Sequence, residues 1–437
     1  MPIVSENVSN ALNEMKNTLD ERPKLLRMFN KCLTNTLETT TELLDDGTTF
    51  VFTGDIPAMW LRDSAAQVSQ YISLCAGDGV LQRVIEGLLR RQAMYICIDP
   101  YANAFNKESN GSGHQSDDTT QSPWVWERKY EIDSLCYPVR LAYKYWKSTG
   151  KTAVFDDAFR DALYTILKVW RVEQRHTESS PYQFARSDCP ATDTLRNKSG
   201  MPVNYTGMTW SGFRPSDDAC TFNYLIPSNM FAVVVLGYMG EIAEAVYGDT
   251  ALAASAHSLR EEIDFGIKTY GVYYHPVFGK IYAYETDGFG NYNLMDDANI
   301  PSLLSIPYLG YTDDSDPIYA NTRRFILSEY NDYYYQGTYG AGIGSPHTPD
   351  RYIWHISLVM QALTSRDNDE IAEILRVLET TDADTDYMHE SFFADDPTAF
   401  TRPWFAWANS LFAELILTLV STADGPSPDV FEIKNEE

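Results

Sequence analysis

Apolar residues recur along most of this chain at helical spacing. Phe155, Phe159, Leu163, Leu167 and Trp170, with Ala158, Ala162 and Ile166 between them, draw one continuous apolar stripe on a helix. The same period returns over Val80 to Ile96, Ile132 to Trp146, Leu252 to Ile267 and Ile371 to Leu378. It returns again from Ala408 through Leu411, Phe412 and Leu415 to Leu419. The pattern predicts roughly a dozen helices. Some are joined by a few residues, as at Ser148 to Gly150, and others by long polar, aromatic or glycine-rich segments. Four such segments stand out: Tyr101 to Val125, Thr177 to Asp217, Gly271 to Asn293 and Tyr330 to Asp350. Loops above about 12–15 residues in a compact chain are uncommon unless they carry a site. Some hold strand-like pieces, such as Lys280 to Tyr284 ahead of a turn at Gly288 and Gly290. The helices repeat with no fixed solenoid period, which favours a closed ring of helical hairpins with its long loops at one end. No linker divides the chain, so one domain over residues 1–437 is expected, with a frayed acidic tail from Gly425 to Glu437.

Composition narrows the function. The chain has 437 residues, beyond an ordinary core of roughly 100–200 residues but suited to one large barrel. No run of about 18 apolar residues is evident to span a membrane. With 61 acidic against 34 basic residues the formal net charge is -27, a field that repels nucleic acid and anionic lipid. The first residues lack a basic stretch followed by an apolar one, so a cytoplasmic protein is expected. Six scattered cysteines form no C-x-x-C pair and read as reduced packing residues. The seven histidines show no H-E-x-x-H or paired spacing and no EF-hand loop is present, so no metal and no other cofactor is expected. A G-x-S-x-G elbow is also missing. Carboxylate chemistry on an uncharged, polyhydroxylated substrate remains.

Several clusters fit that chemistry. Residues 53 to 63 bring Asp55, Trp60, Arg62 and Asp63 together ahead of a helix-like segment, Ser64 to Ala76. Carboxylate and guanidinium can each grip adjacent hydroxyls, and an indole offers an apolar face to a pyranose. A structural ion pair before a core helix explains the same residues. Trp126 to Asp133 gathers aromatic and acidic groups at a helix start, where acids also complement the helix dipole. Gly212 to Ala219 ends in Asp217 and Asp218 and runs into an apolar helix, Phe222 to Gly237, interrupted by Pro227, Ser228 and Asn229. One of the two aspartates should cap that helix. The glycines at 340, 342 and 344 precede Pro346 and His347 without nucleotide-loop spacing. Glu390 lies between His389 and Ser391 in an aromatic run that continues to Arg402 and Trp404; an exposed helix-end glutamate is its simplest local reading.

Together these motifs closely resemble glycoside hydrolase family 125, the exo-α-1,6-mannosidases. The likeness rests on residues 53 to 63, Trp126 to Asp133, Gly212 to Asp218 with Ile226 to Asn229, Ser345 to Asp350, and His389 to Ser391 with Phe400 to Trp404. It implies an all-α (α/α)6 barrel and metal-free release of terminal α-1,6-linked mannose, with inversion. Carried over, Asp218 is the general acid and Glu390 the general base. His389, if cationic, would keep Glu390 ionised. Asp55, Arg62, Asp63 and Asn229 are expected near the terminal mannose, with Arg62 and Asp63 reading its axial hydroxyl. Trp60, Trp126 and Trp404 are expected as apolar walls, and Asp133, His347 and Arg402 as further substrate contacts. The implied partner is an α-mannoside oligosaccharide. Another enzyme on the same hairpin ring, such as a phosphorylase, a retaining glycosidase or a lyase, and a non-catalytic mannoside-binding protein are the competing readings.

Overall fold

The computed structural model describes residues 3–421 and residue 431. The tail from Gly425 to Glu437, expected to fray, lies outside the described residues apart from Phe431. In chain order the helices begin with α1 (Glu6–Thr18), α2 (Pro23–Asn35), α3 (Leu61–Ala66), α4 (Gly79–Ile98), α5 (Ile132–Thr149), α6 (Asp157–Glu173) and α7 (His176–Ser179). They continue with α8 (Ile226–Ile242), α9 (Thr250–Tyr270), α10 (Ile306–Leu309), α11 (Pro317–Ile326), α12 (His355–Leu363), α13 (Asn368–Thr380) and α14 (Ala406–Ser421).

Twelve of these alternate between two layers. Helices α2, α4, α6, α9, α11 and α13 are amphipathic and bury one stripe. Their partners α3, α5, α8, α12 and α14 are buried over most of their surface, and the single turn of α10 completes the inner set. Inside, α3 packs on α5 and α14, α5 on α8, α8 on α10, and α12 on α14. Outside, α2 packs on α14, α4 on α5 and α6, α9 on α6 and α8, and α13 on α12. The result is an (α/α)6 arrangement.

Alternation decides where the loops go. Every outer-to-inner connection is long: 36–60, 99–131, 174–225, 271–305, 327–354 and 381–405. Inner-to-outer connections are short, such as 150–156 and 364–367. Six long loops therefore gather at one end, above the N-termini of the inner helices. The apolar pattern marked four of them. The other two contain tight antiparallel pairs, Thr41–Leu43 with Thr49–Val51 and Ser391–Phe393 with Asp396–Thr401, whose short runs blend into the flanking helical period.

Other departures have equally local causes. The expected segment Ser64 to Ala76 is split between the end of α3 and a 3-10 turn at Ser69–Leu74. Helix α8 starts at Ile226 and not Phe222, because Pro227 fits the first turn, where no N–H is required. Its cap position is Leu225, so neither Asp217 nor Asp218 caps it. The continuous helix Ile226–Tyr247 is long and apolar enough by composition to cross a membrane, against the expectation that no such run exists. Its apolar residues face all round because neighbours enclose it within the ring. Gly342 and Gly344 let the hairpin of Tyr334–Gln336 and Ala341–Ile343 lie close on Tyr352–Trp354; a Cβ at Gly344 would stand 2.3 Å from the Tyr352 carbonyl. Cys32, Cys75, Cys136 and Cys220 are buried free thiols, whereas Cys97 is exposed and Cys189 half-buried.

Candidate active site

A cavity opens among the long loops, lined from five of the six: 36–60, 174–225, 271–305, 327–354 and 381–405. Eight residues singled out in the sequence line it: Asp55, Trp60, Arg62, Asp63, His347, Glu390, Arg402 and Trp404. Trp354 and Trp407 extend its aromatic wall.

Arg62 organises the floor. It opens α3 and is buried, with Nη1 donating to Glu131 Oε2 at 2.6 Å and Asp133 Oδ2 at 3.3 Å. Its Nε stands 3.3 Å from Asp63 Oδ2 and its Nη2 3.5 Å from Asp217 Oδ1. The Trp407 ring lies beneath the guanidinium, 5.5 Å from its centroid. One cation thus faces four carboxylates, Asp63 and Asp133 on helices α3 and α5 and Glu131 and Asp217 on two loops. Burial pushes Asp63 up against the pull of Arg62, and it pushes Glu131 well above the usual range, helped by Asp217 and Asp133. Burial would raise Asp217 as well, but Arg62 and Lys129 outweigh it and hold that carboxyl low. The first turns of α3 and α5 carry Asp63 and Asp133, where the helix dipole favours negative charge.

The opposite wall carries Glu390, which is buried and not the exposed helix-end residue that its local sequence suggests. It immediately precedes the strand Ser391–Phe393, central in a three-stranded sheet. Arg402 Nε donates to Glu390 Oε1 at 3.0 Å, and Arg402 Nη1 donates to Asp55 at 2.6 Å on the rim. Such charge-assisted bonds fix both carboxylates at the mouth. His389 is not the cation next to Glu390. Burial lowers its pKa; its Nδ1–H donates to the Arg402 carbonyl at 3.1 Å, and its ring stacks on Phe400 at 3.9 Å.

Asp218 sits just behind the lining, 5% exposed, with Oδ1 3.3 Å from His347 Nδ1. Its Oδ2 is buried and has no partner among the described residues. His347 lies on the cavity wall. Burial would lower its pKa, but the hydrogen bond and charge of Asp218, with Asp217 and Glu390 behind, raise it to about 9.

Three expected contacts fall elsewhere. Trp126 packs with Trp60, Ala58 and Ala104 in a small cluster off the lining. Asp133 supports Arg62 from within. Asn229 is fully buried: its Oδ1 accepts from Thr209 N at 2.9 Å, and its Nδ2 donates to Thr209 O at 3.0 Å and Leu225 O at 2.9 Å. Both amide hydrogens are committed to backbone carbonyls, and full burial keeps the oxygen from a sugar. Conversely, Trp354 and Trp407 line the cavity and Glu131 and Lys129 support it without having been singled out, and Asp217, named in the sequence only as a cap candidate, lines it too. Glu131 and Lys129 lie inside the marked cluster Trp126 to Asp133, the one signal available for them.

Residues 22–417 match the model of the metal-independent α-mannosidases, GH125. The chain belongs to this family. The mannosidase is therefore a glycoside hydrolase. A Streptococcus pneumoniae chain is 50% identical, with a TM-score of 0.93 over 95% of this chain and 99% of that one. It was solved in a non-productive complex with α-1,6-mannobiose, in a study of metal-independent α-mannosidases and the processing of N-linked glycans. The meiotically up-regulated gene 157 protein of Schizosaccharomyces pombe is 42% identical over 441 residues, covering 95% of the mannosidase and 86% of its own length. A bacterial glucoamylase with acarbose, 13% identical, covers 96% of the mannosidase and 59% of its own chain at a TM-score of 0.55, a likeness of fold alone.

Proposed function

We propose that the mannosidase is an exo-acting, inverting α-1,6-mannosidase that removes terminal mannose from α-mannoside oligosaccharides such as N-glycan fragments, working as one catalytic unit in the cytoplasm. The observation that carries this reading is the cavity itself, on which Glu390 and the His347 partner of Asp218 both stand although distant in sequence. The α-1,6-mannobiose complex of the S. pneumoniae relative supports the linkage.

In this reading Asp218 protonates the glycosidic oxygen as the C1–O bond breaks. Glu390, aligned by Arg402, takes a proton from the water that attacks C1 from the opposite face. One bond to C1 is made as the other is broken, so the configuration inverts. Afterwards Asp218 is a carboxylate and Glu390 carries the proton, and exchange with solvent resets both. Arg62 and Asp63 grip hydroxyls of the terminal mannose, and the tryptophans cover its apolar face.

Hydrolysis of α-1,6-mannobiose followed by proton NMR tests the proposal. β-Mannose is expected first, undiminished by a chelator, with little cleavage of the α-1,2 and α-1,3 isomers. Asp218→Asn and Glu390→Gln should each lower turnover by about 10²–10⁴-fold. An initial α anomer, or full activity in either variant, would end the reading.

A further inference from the structure

The turn that delivers Asp218 is held in a conformation its sequence does not favour. Asp217 has φ +66, the left-handed region that an L-residue other than Asn or Asp rarely adopts and that even these adopt as single residues in turns. Within the turn, Asp217 N donates to Arg214 O at 2.9 Å and Arg214 N donates to Asp218 O at 2.8 Å. The remaining restraints come from outside. Lys129 Nζ donates to Asp217 O at 2.8 Å. Asn103 Nδ2 donates to Asp217 Oδ1 at 3.2 Å and to Glu127 Oε2 at 3.1 Å, while Asn103 Oδ1 accepts from Lys129 N at 3.1 Å.

Lys129 and Asn103 are buried and neither lines the cavity. A buried ammonium needs counter-charge, and Lys129 has it in Asp193 and, 3.8 Å away, Glu127. Those partners would satisfy its charge without the carbonyl. The bond to Asp217 O is additional, and it falls on the peptide that joins Asp217 to Asp218. Fixing that oxygen fixes the peptide plane, and with it the direction in which the Asp218 side chain leaves the backbone.

We propose that Lys129, steadied by Asn103, is a positioning residue for the proton donor, locking the Asp217–Asp218 peptide so that the Asp218 carboxyl meets the leaving oxygen. This rests on the reading of Asp218 as the acid. It confines the effect of the bond to Asp217 O to one arm of the reaction, because neither the water nor Glu390 depends on that peptide; Asn103→Ala keeps the Lys129 charge that holds Asp217 low and so isolates that arm.

Leaving-group dependence exposes that confinement. A sugar alkoxide needs a proton to depart, whereas fluoride departs from α-mannosyl fluoride with little help. Lys129→Met and Asn103→Ala would be assayed on α-1,6-mannobiose and on α-mannosyl fluoride beside Asp218→Asn, with melting curves for each. For a misplaced acid the expected loss is about 10²-fold in kcat on mannobiose, at unchanged KM and with most of the rate on the fluoride kept. Asp218→Asn should show the same split, more strongly. If it does not, the acid assignment fails first. If Asp218→Asn splits the two substrates and the folded Lys129 and Asn103 variants lose both equally, the positioning role is overturned. Should Lys129→Met not fold, Lys129→Arg keeps the buried charge and Asn103→Ala keeps the lysine, and the same split in these two decides.

Discussion

At the residue scale the site is a balance of buried charges, and His347 is the member whose charge changes in a useful pH range. It faces Asp218 directly, Asp217 and Glu390 across the cavity, and Trp354 edge-on. Its folded pKa of about 9 exceeds the unfolded value of about 6.5, since Asp218 and the other carboxylates outweigh burial. The sign follows from proton uptake. Where the folded state binds the proton more tightly, stability is present in full below about pH 6.5 and is lost as pH rises through about 9. His347→Gln should therefore melt below the parent by a constant margin in mild acid, a margin that closes between about pH 7 and pH 9. Because 39% of the imidazole is exposed, solvent screening keeps the margin small. A margin that widened toward alkaline pH would refute the pairing. The individual chemistry of Arg62, Asp63 and Glu390 was legible in the sequence through close spacing and family resemblance. Their mutual balance was not, because the partners of Arg62 arrive from segments around residues 63, 131–133 and 217 that only folding brings together.

Elements follow from the sequence more directly. The apolar stripe of α6 predicted its extent, and Asp156, which accepts from Phe159 N at 2.9 Å, starts it as a capping aspartate should. Amphipathicity made α6, α13 and the inner α5 readable; α8, apolar on all sides, carries little period to read. That is why the start of α8 differs from the expected Phe222, whereas Asn229 in its first turns was expected near the sugar from the family resemblance alone. The structure makes Asn229 a strut between α8 and the strand-like segment at Thr209. Asn229→Ala would leave the Thr209 N–H and two carbonyls buried without partners, each such group costing about 1–3 kcal/mol. The variant is expected to melt well below the parent while the folded fraction keeps its KM for mannobiose. A raised KM at unchanged melting temperature would make Asn229 a sugar contact after all.

For the whole molecule, the alternation of outer and inner helices sends all six long loops to one end, and the charge of the chain governs what can approach it. Composition disclosed a net of -27 but not where it acts. At the cavity wall Asp55, Asp63, Asp217 and Glu390 face Arg62, Arg402 and His347, so the site is nearly balanced and most of the negative excess surrounds it. A neutral mannoside carries no charge for the surrounding field to steer. Its kcat/KM should thus stay level between about 0.01 M and 0.1 M salt, over which the screening length falls from about 30 Å to about 10 Å. The same disaccharide with a phosphate on its terminal mannose meets that field at full strength. It should be cleaved far more slowly at low salt and recover in part as salt rises, because screening weakens repulsion between separated charges. Parallel assays of the two substrates across the salt series separate the field from the pocket. If the phosphorylated substrate were equally slow at every salt, steric exclusion at the cavity floor would be the cause, and long-range repulsion would play no part in selecting the substrate.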